Sequence, residues 1–197
     1  MNNIYALCDM DLLERFGLEL EDFVDFSNLF RAEILQYRDK KGSIEQKNEN
    51  IQKLRKLWNK TLLVNDEIAL ARFCDGVHIG QEDLLNIIES FGARSKAEAL
   101  TIIKKMMGAK IIGLSTHSKE EIEEANSMEL DYIGLGAYRA TSTKDVSVVL
   151  GDMLPKLAAL SRHRVVAIGG VKVFDYIENV YLKAVGSDLV IKALTYA

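Results

Sequence analysis

Proline, cysteine and tryptophan are scarce: one, two and one among 197 residues. With Pro155 alone and no low-complexity segment, nothing reads as a linker dividing the chain into separate units. Cys8 and Cys74 each fall in or beside a short apolar run. Two buried thiols in a reducing cytoplasm are therefore expected rather than a disulfide. Positive charge is not in excess either: 25 Lys and Arg against 29 Asp and Glu give a net charge of −4, without the basic footprint that nucleic acid demands. No apolar run approaches the roughly 20 residues of a membrane span. Asp9 interrupts the opening MNNIYALCDMD where a signal peptide needs its apolar stretch, so no export and a cytoplasmic location are expected.

What the chain does have is 48% hydrophobic residues, arranged as an alternation of strand-like and helix-like segments. Strand-like runs lie at 4–8, 32–37, 61–64, 76–79, 110–114, 132–135, 164–168 and 188–191. Their interiors are nearly all apolar, as parallel strands covered on both faces require. Between them, 46–58 places Ile51, Leu54, Leu57 and Trp58 on one stripe, and 119–128 opens after Ser118 with Glu120 and Glu121 in its first turn. Residues 81–109 have room for one or two helices, and Pro155 suits a first helical turn. The pattern predicts an α/β fold: a TIM (βα)8 barrel of eight parallel strands, residues 1–197 as a single domain, with the last helix missing after the eighth strand.

Polar residues gather where these runs end, and in a βα barrel the carboxyl ends of the strands carry the site. Gln36, Arg38 and Lys40 alternate in QYRDK, so all three share one face of a strand end; the two cations suit a multiply charged oxyanion, unless Asp39 merely neutralises them. Asn65 and Asp66 end the third run and Asp83 follows the fourth. Two carboxylates beside an amide suit Mg²⁺, whose remaining positions substrate phosphate and water complete; both aspartates also fit as helix N-caps. Ser115, Thr116 and His117 end the fifth run. Ser115 could bond a phosphate oxygen, and His117 is the candidate acid/base near neutral pH. His78 reads either as a mouth residue or as a satisfied interior histidine, and His163 in SRHR reads as inert. Thr141, Thr143 and Lys144 in RATSTK offer hydroxyls and an ammonium, while Gly169 and Gly170 let backbone amides approach a phosphate. The result is two anion regions in one barrel mouth, which suggests two small phosphorylated substrates.

The strings QYRDK, VNDEIALA, DGVHIGQEDL, IIGLSTHSKEE, DYIGLGAYRATSTK and VVAIGG, in that order and spacing, resemble the thiamine phosphate synthase family. That resemblance implies a βα barrel joining a pyrimidine diphosphate to a thiazole phosphate, with Mg²⁺, and releasing diphosphate. It implies that Gln36, Arg38, Lys40, Asn65, Ser115 and Lys144 contact the pyrimidine diphosphate and that Asp66 and Asp83 hold Mg²⁺. Thr141, Thr143 and Gly170 would contact the thiazole phosphate. The family's scheme breaks the carbon–oxygen bond first, and the thiazole nitrogen attacks the resulting pyrimidine methylene cation.

Two departures stand out. The family's Gly-Pro-x-Phe-Pro-Thr loop reads GAYRAT here, with Ala137, Arg139 and Ala140 in place of Pro, Phe and Pro. The family's Val-Ser pair on the eighth strand is matched with Ile191 and Lys192, the latter either a replacement phosphate ligand or the mark of a different substrate. Two other readings stay open: a thiazole tautomerase, with His117 shuttling a proton, and a non-catalytic paralogue that binds thiamine-related phosphates or serves as a partner subunit. An unfinished barrel wall would also admit a homodimer.

Overall fold

A computed structural model describes residues 3–108, 110–140 and 149–196. Eight parallel strands close into a barrel in chain order: β1 (Ile4–Asp9), β2 (Ile34–Arg38), β3 (Thr61–Asn65), β4 (Gly76–Ile79), β5 (Ile111–Thr116), β6 (Tyr132–Leu135), β7 (Arg164–Ala167) and β8 (Leu182–Val185). β1 pairs with both β2 and β8, which closes the sheet and removes its edges.

Eight helices are described: α1 (Met10–Phe16), α2 (Leu20–Leu29), α3 (Ile44–Leu57), α4 (Gln81–Phe91), α5 (Lys96–Met107), α6 (Lys119–Ala125), α7 (Leu154–Ala158) and α8 (Ser187–Tyr196). Local chemistry accounts for most of their ends. Asp9, Ser43, Ser95 and Ser118 cap α1, α3, α5 and α6 with their side-chain oxygens, and Gly17, Gly92 and Gly108 end α1, α4 and α5 in the left-handed region. Pro155 sits in the first turn of α7, as expected.

The strands divide their side chains between two cores, as strict alternation demands. Outward residues such as Leu35, Leu62, Val77, Ile112 and Ile133 join the shell between sheet and helices. Truncating one of these to alanine should cost roughly 2–5 kcal/mol. Inward, the apolar layer is thin: Tyr5, Leu63, Tyr132, Val166 and Leu182, flanked by Ile34, Ile111, Ile168 and Ala184. Glycines make room for the large rings there. A Cβ on Gly113 would lie 2.1 Å from Cζ of Tyr132, and one on Gly134 would lie 2.9 Å from Cε1 of His78.

Three expectations need correction. The chain does not lack its closing helix: residues 188–191 belong to α8, and β8 is Leu182–Val185. The apolar run DLVI is too short to separate strand from helix by period alone. Its continuation does separate them, because Leu189, Val190 and Ala193 are the buried residues and their spacing is helical. β8 was hidden by Lys183, whose ammonium donates to the carbonyls of Val173 at 2.6 Å and Asp175 at 2.8 Å. Finally, no helix lies between β7 and β8; residues 168–181 run as turns and extended chain.

Candidate active site

The side chains at the carboxyl ends of β2–β5 form one connected array. Gln36 Nε2 donates to Asn65 Oδ1 at 2.6 Å, and Asn65 Nδ2 donates to Asp66 Oδ2. Lys40 Nζ reaches the same Asp66 oxygen at 2.5 Å and lies 3.9 Å from Asp83 Oδ2. Asp66 adopts a left-handed backbone, φ 61°, which lets its Oδ1 accept the Gly80 N–H at 2.9 Å across the β3–β4 mouth. The helix-cap reading therefore fails for both aspartates. Gly80 caps α4 without a side chain, Asp83 lies in the first turn of α4, and Glu67, not Asp66, precedes the short 3-10 turn Ile68–Phe73.

Asp66 and Asp83 flank Gly80 so closely that a Cβ there would lie 3.7 Å from Asp66 Oδ1 and 2.9 Å from Asp83 Oδ2. Burial, then the neighbouring Asp66 charge, raise the Asp83 carboxyl, and Lys40 pulls against them. Two carboxylates thus share one ammonium. That excess of hard oxygen and negative charge suits a hard divalent cation. Among the described residues no group of three or more His, Cys, Asp and Glu forms a metal cluster, so further ligands would be water or substrate oxygens.

Arg38 points to the mouth but is not neutralised by Asp39. Its Nη1 donates to Asp9 Oδ2 at the end of β1, while Asp39 turns away to accept the Lys41 and Gly42 N–H groups and the Tyr37 hydroxyl. Deeper in, Tyr5 donates to Gln36 Oε1 at 2.7 Å, and the Tyr5 and Tyr132 hydroxyls meet at 3.0 Å. His78 Nδ1 lies 2.9 Å from the Tyr132 hydroxyl and its Nε2 lies 2.9 Å from Ser115 Oγ. His78 is thus a satisfied interior histidine. His117 uses Nδ1–H on the Gly136 carbonyl at 2.7 Å, and His163 bonds the Ala125 carbonyl.

On the opposite side of the mouth, the β6 and β7 ends are bound by backbone bonds. Tyr138 N–H donates to Ile168 O and Arg139 N–H to Gly169 O, each at 2.9 Å. Arg139 forms a two-pronged pair with Asp175, at 2.5 and 3.0 Å, and also donates to the Gly170 carbonyl at 3.1 Å.

A family model for thiamine monophosphate synthase matches residues 19–186. The chain is 34% identical over 176 residues to the thiamine-phosphate synthase of Persephonella marina, covering 86% of this chain and 77% of that protein. This chain belongs to the thiamine monophosphate synthase family. Family relatives from a Synechococcus species, 33% identical, and Dictyoglomus turgidum, 36% identical, cover 83% and 72% of the chain, which spans only 42% and 60% of their lengths. The barrel superposes on thiamine phosphate pyrophosphorylase from Pyrococcus furiosus with TM-score 0.68 at 22% identity, over 99% of this chain and 96% of that one. It superposes on the aldolase QR15 with TM-score 0.64 at 14% identity, over 98% of this chain and 95% of that one. At such identities these two likenesses speak for the fold alone.

Within this family member, Gln36, Arg38, Lys40, Asn65, Asp66, Asp83 and Ser115 come together at the β2–β5 ends, and Gly170 lies across the mouth against Arg139. Thr141, Thr143 and Lys144 lie outside the described residues. Ile191 and Lys192 are not at a strand end: both are on α8, Ile191 is exposed, and the Lys192 ammonium lies 5.9 Å from the Phe174 ring centre. β8 ends at Val185, and Gly186 and Ser187 follow it, a small-residue stop before Asp188 that could have signalled the strand end. Also missed were Asp9, Tyr5, Tyr132 and Asp175, whose partners lie 29 to 127 positions away in sequence. Gln81, which donates to the Ser115 carbonyl at 2.7 Å, was missed as well.

Proposed function

We propose that this chain is a thiamine-phosphate synthase, a transferase of thiamine biosynthesis joining 4-amino-2-methyl-5-hydroxymethylpyrimidine diphosphate to 4-methyl-5-(2-hydroxyethyl)thiazole phosphate. The observation that carries the reading is the single array of Gln36, Asn65, Asp66, Asp83 and Lys40, in a chain that belongs to this family. Gln36, Arg38, Lys40, Asn65, Ser115 and Lys144 take the pyrimidine diphosphate, and Thr141, Thr143 and Gly170 take the thiazole phosphate.

Asp66 and Asp83 hold Mg²⁺, and their shared excess of negative charge supports that assignment. The bound ion would neutralise charge developing on the departing diphosphate. The chain's own part is electrostatic and positional. Lys40 and Arg38 meet the leaving group with cations already oriented by Asp66 and Asp9, so little reorganisation accompanies bond breaking. Gln36 and Asn65 hold the pyrimidine in register for in-line attack by the thiazole nitrogen. No paired nucleophile and base is required. Burial raises the Cys8 thiol well above its ordinary range and the Cys74 thiol to about 12, which keeps both inert.

The test is diphosphate release measured with both substrates, each alone, and with and without Mg²⁺. Release that requires both substrates and the ion supports the synthase. Binding of thiazole phosphate with proton exchange but no coupling would favour a tautomerase, and binding without any turnover a non-catalytic paralogue.

A further inference from the structure

The hydrogen bonds across the barrel interior have a direction, which the two side-chain amides set. Asn65 turns its amide nitrogen toward Asp66 Oδ2 and its oxygen toward Gln36. Gln36 then donates from Nε2, which leaves Oε1 facing Tyr5, and the Tyr5 hydroxyl donates to it. A phenol carries one proton. Burial raises both tyrosines far above the range in which they could lose it. With the Tyr5 proton spent on Gln36, the 3.0 Å contact between the two phenols requires Tyr132 to donate to Tyr5. Tyr132 can then only accept from His78 Nδ1, 2.9 Å away.

From this order we propose that Tyr5 and Tyr132 are positioning residues that keep a proton on His78 Nδ1 and so select the Nδ1–H tautomer of its imidazole. In that tautomer His78 Nε2 accepts a hydrogen bond from the Ser115 hydroxyl, leaving Ser115 Oγ as a pure acceptor at the site. The partners lie 2.7 to 3.0 Å apart from Gln36 to Ser115, and Tyr5, Gln36, His78, Ser115 and Tyr132 are all buried. Reversing any one bond between Gln36 and His78 would leave two protons, or none, between a pair of buried oxygens or nitrogens. A phosphate oxygen, itself an acceptor, gains nothing from such a serine. An N–H group does, as on an aminopyrimidine. That ligand consequence rests on the synthase reading; the tautomer does not.

Nitrogen-15 NMR of histidine-labelled, ligand-free protein near neutral pH reads the tautomer directly. Only three histidines are present, so His117→Gln and His163→Gln variants identify the His78 signals. The expected result is a protonated Nδ1 and a bare Nε2 in His78. Tyr132→Phe and, separately, Tyr5→Phe should move the population to Nε2–H, because Nδ1 loses its acceptor in the first and gains a free phenol proton in the second. A wild-type His78 protonated at Nε2, or a tautomer indifferent to both substitutions, would overturn the proposal. In turnover, Tyr132→Phe should raise KM for the pyrimidine diphosphate about tenfold while kcat falls less. An unchanged KM would remove the ligand role. A wild-type protein inert toward both substrates would count against the synthase reading and leave the NMR result standing.

Discussion

The two sides of the barrel mouth are built differently. On the β2–β5 side, the functional groups are side chains standing on strand ends, each oriented by another charged or polar side chain: Arg38 by Asp9, Lys40 by Asp66, Asn65 by Gln36, Ser115 by His78. On the β6–β8 side, the groups at the mouth among the described residues are mainly backbone, held by loop-to-loop bonds and the Arg139–Asp175 pair. With no helix between β7 and β8, residues 168–181 are fastened instead by Lys183 to the Val173 and Asp175 carbonyls and by Asp188 to the Val173 N–H. The first side is suited to neutralising concentrated charge; the second can offer N–H groups to a phosphate. In GAYRAT, Arg139 ties its loop to Gly170 where the family's prolines would have stiffened it.

Substitutions on the two sides should therefore fail in different ways. The largest effect belongs to Asp83→Ala, which should lower Mg²⁺-dependent turnover by about three orders of magnitude, with an unchanged circular dichroism spectrum. Wild-type turnover would remove Asp83 from the metal site. Next, Arg38→Ala and Lys40→Ala should each weaken diphosphate affinity roughly 10–100-fold, since each loses a charge-assisted bond; calorimetric titration with inorganic diphosphate and Mg²⁺ measures it. Unchanged affinity in both would place the anion elsewhere.

On the other side, Arg139→Ala should act on stability more than on diphosphate affinity. Burial alone would raise the Asp175 carboxyl, but the Arg139 and Lys172 hydrogen bonds outweigh it and hold it below the usual carboxylate range. A carboxyl depressed in the folded state contributes stability above its unfolded pKa of about 3.9 and loses that stability as pH falls through the lower folded value. Arg139→Ala should thus lower the melting temperature at neutral pH and lower it by less at a pH well below about 3.9. The half-exposed pair is worth less than about 1 kcal/mol. An equal loss at both pH values would mean that the pair does not carry the effect. Smallest of all, Lys192→Ala should shift stability within about ±0.5 kcal/mol and leave thiazole phosphate binding untouched. A loss of binding there would return α8 to the site.

The residues most legible in the chain's own pattern were those whose neighbours along it are also their neighbours in space. QYRDK and VND announce Gln36, Arg38, Lys40, Asn65 and Asp66 because a strand end presents alternate positions on one face. The eighth strand was misread because its one charged residue, Lys183, finds its carbonyl partners only once the β7–β8 segment has folded over it. Ile191 and Lys192 were placed on a strand end with it, whereas both stand on α8.

The chain alone determined the parallel barrel, seven of its eight strands and the ends of those strands that bear its polar groups, since strand runs and helix caps are local and repeat along the sequence. Which groups pair was decided by closure of the barrel. Closure brings Tyr5 against Tyr132, Arg38 against Asp9 and His78 against Ser115 over separations that no local pattern spans. A buried donor must find an acceptor wherever the folded backbone places one, so the wiring of the interior belongs to the tertiary structure.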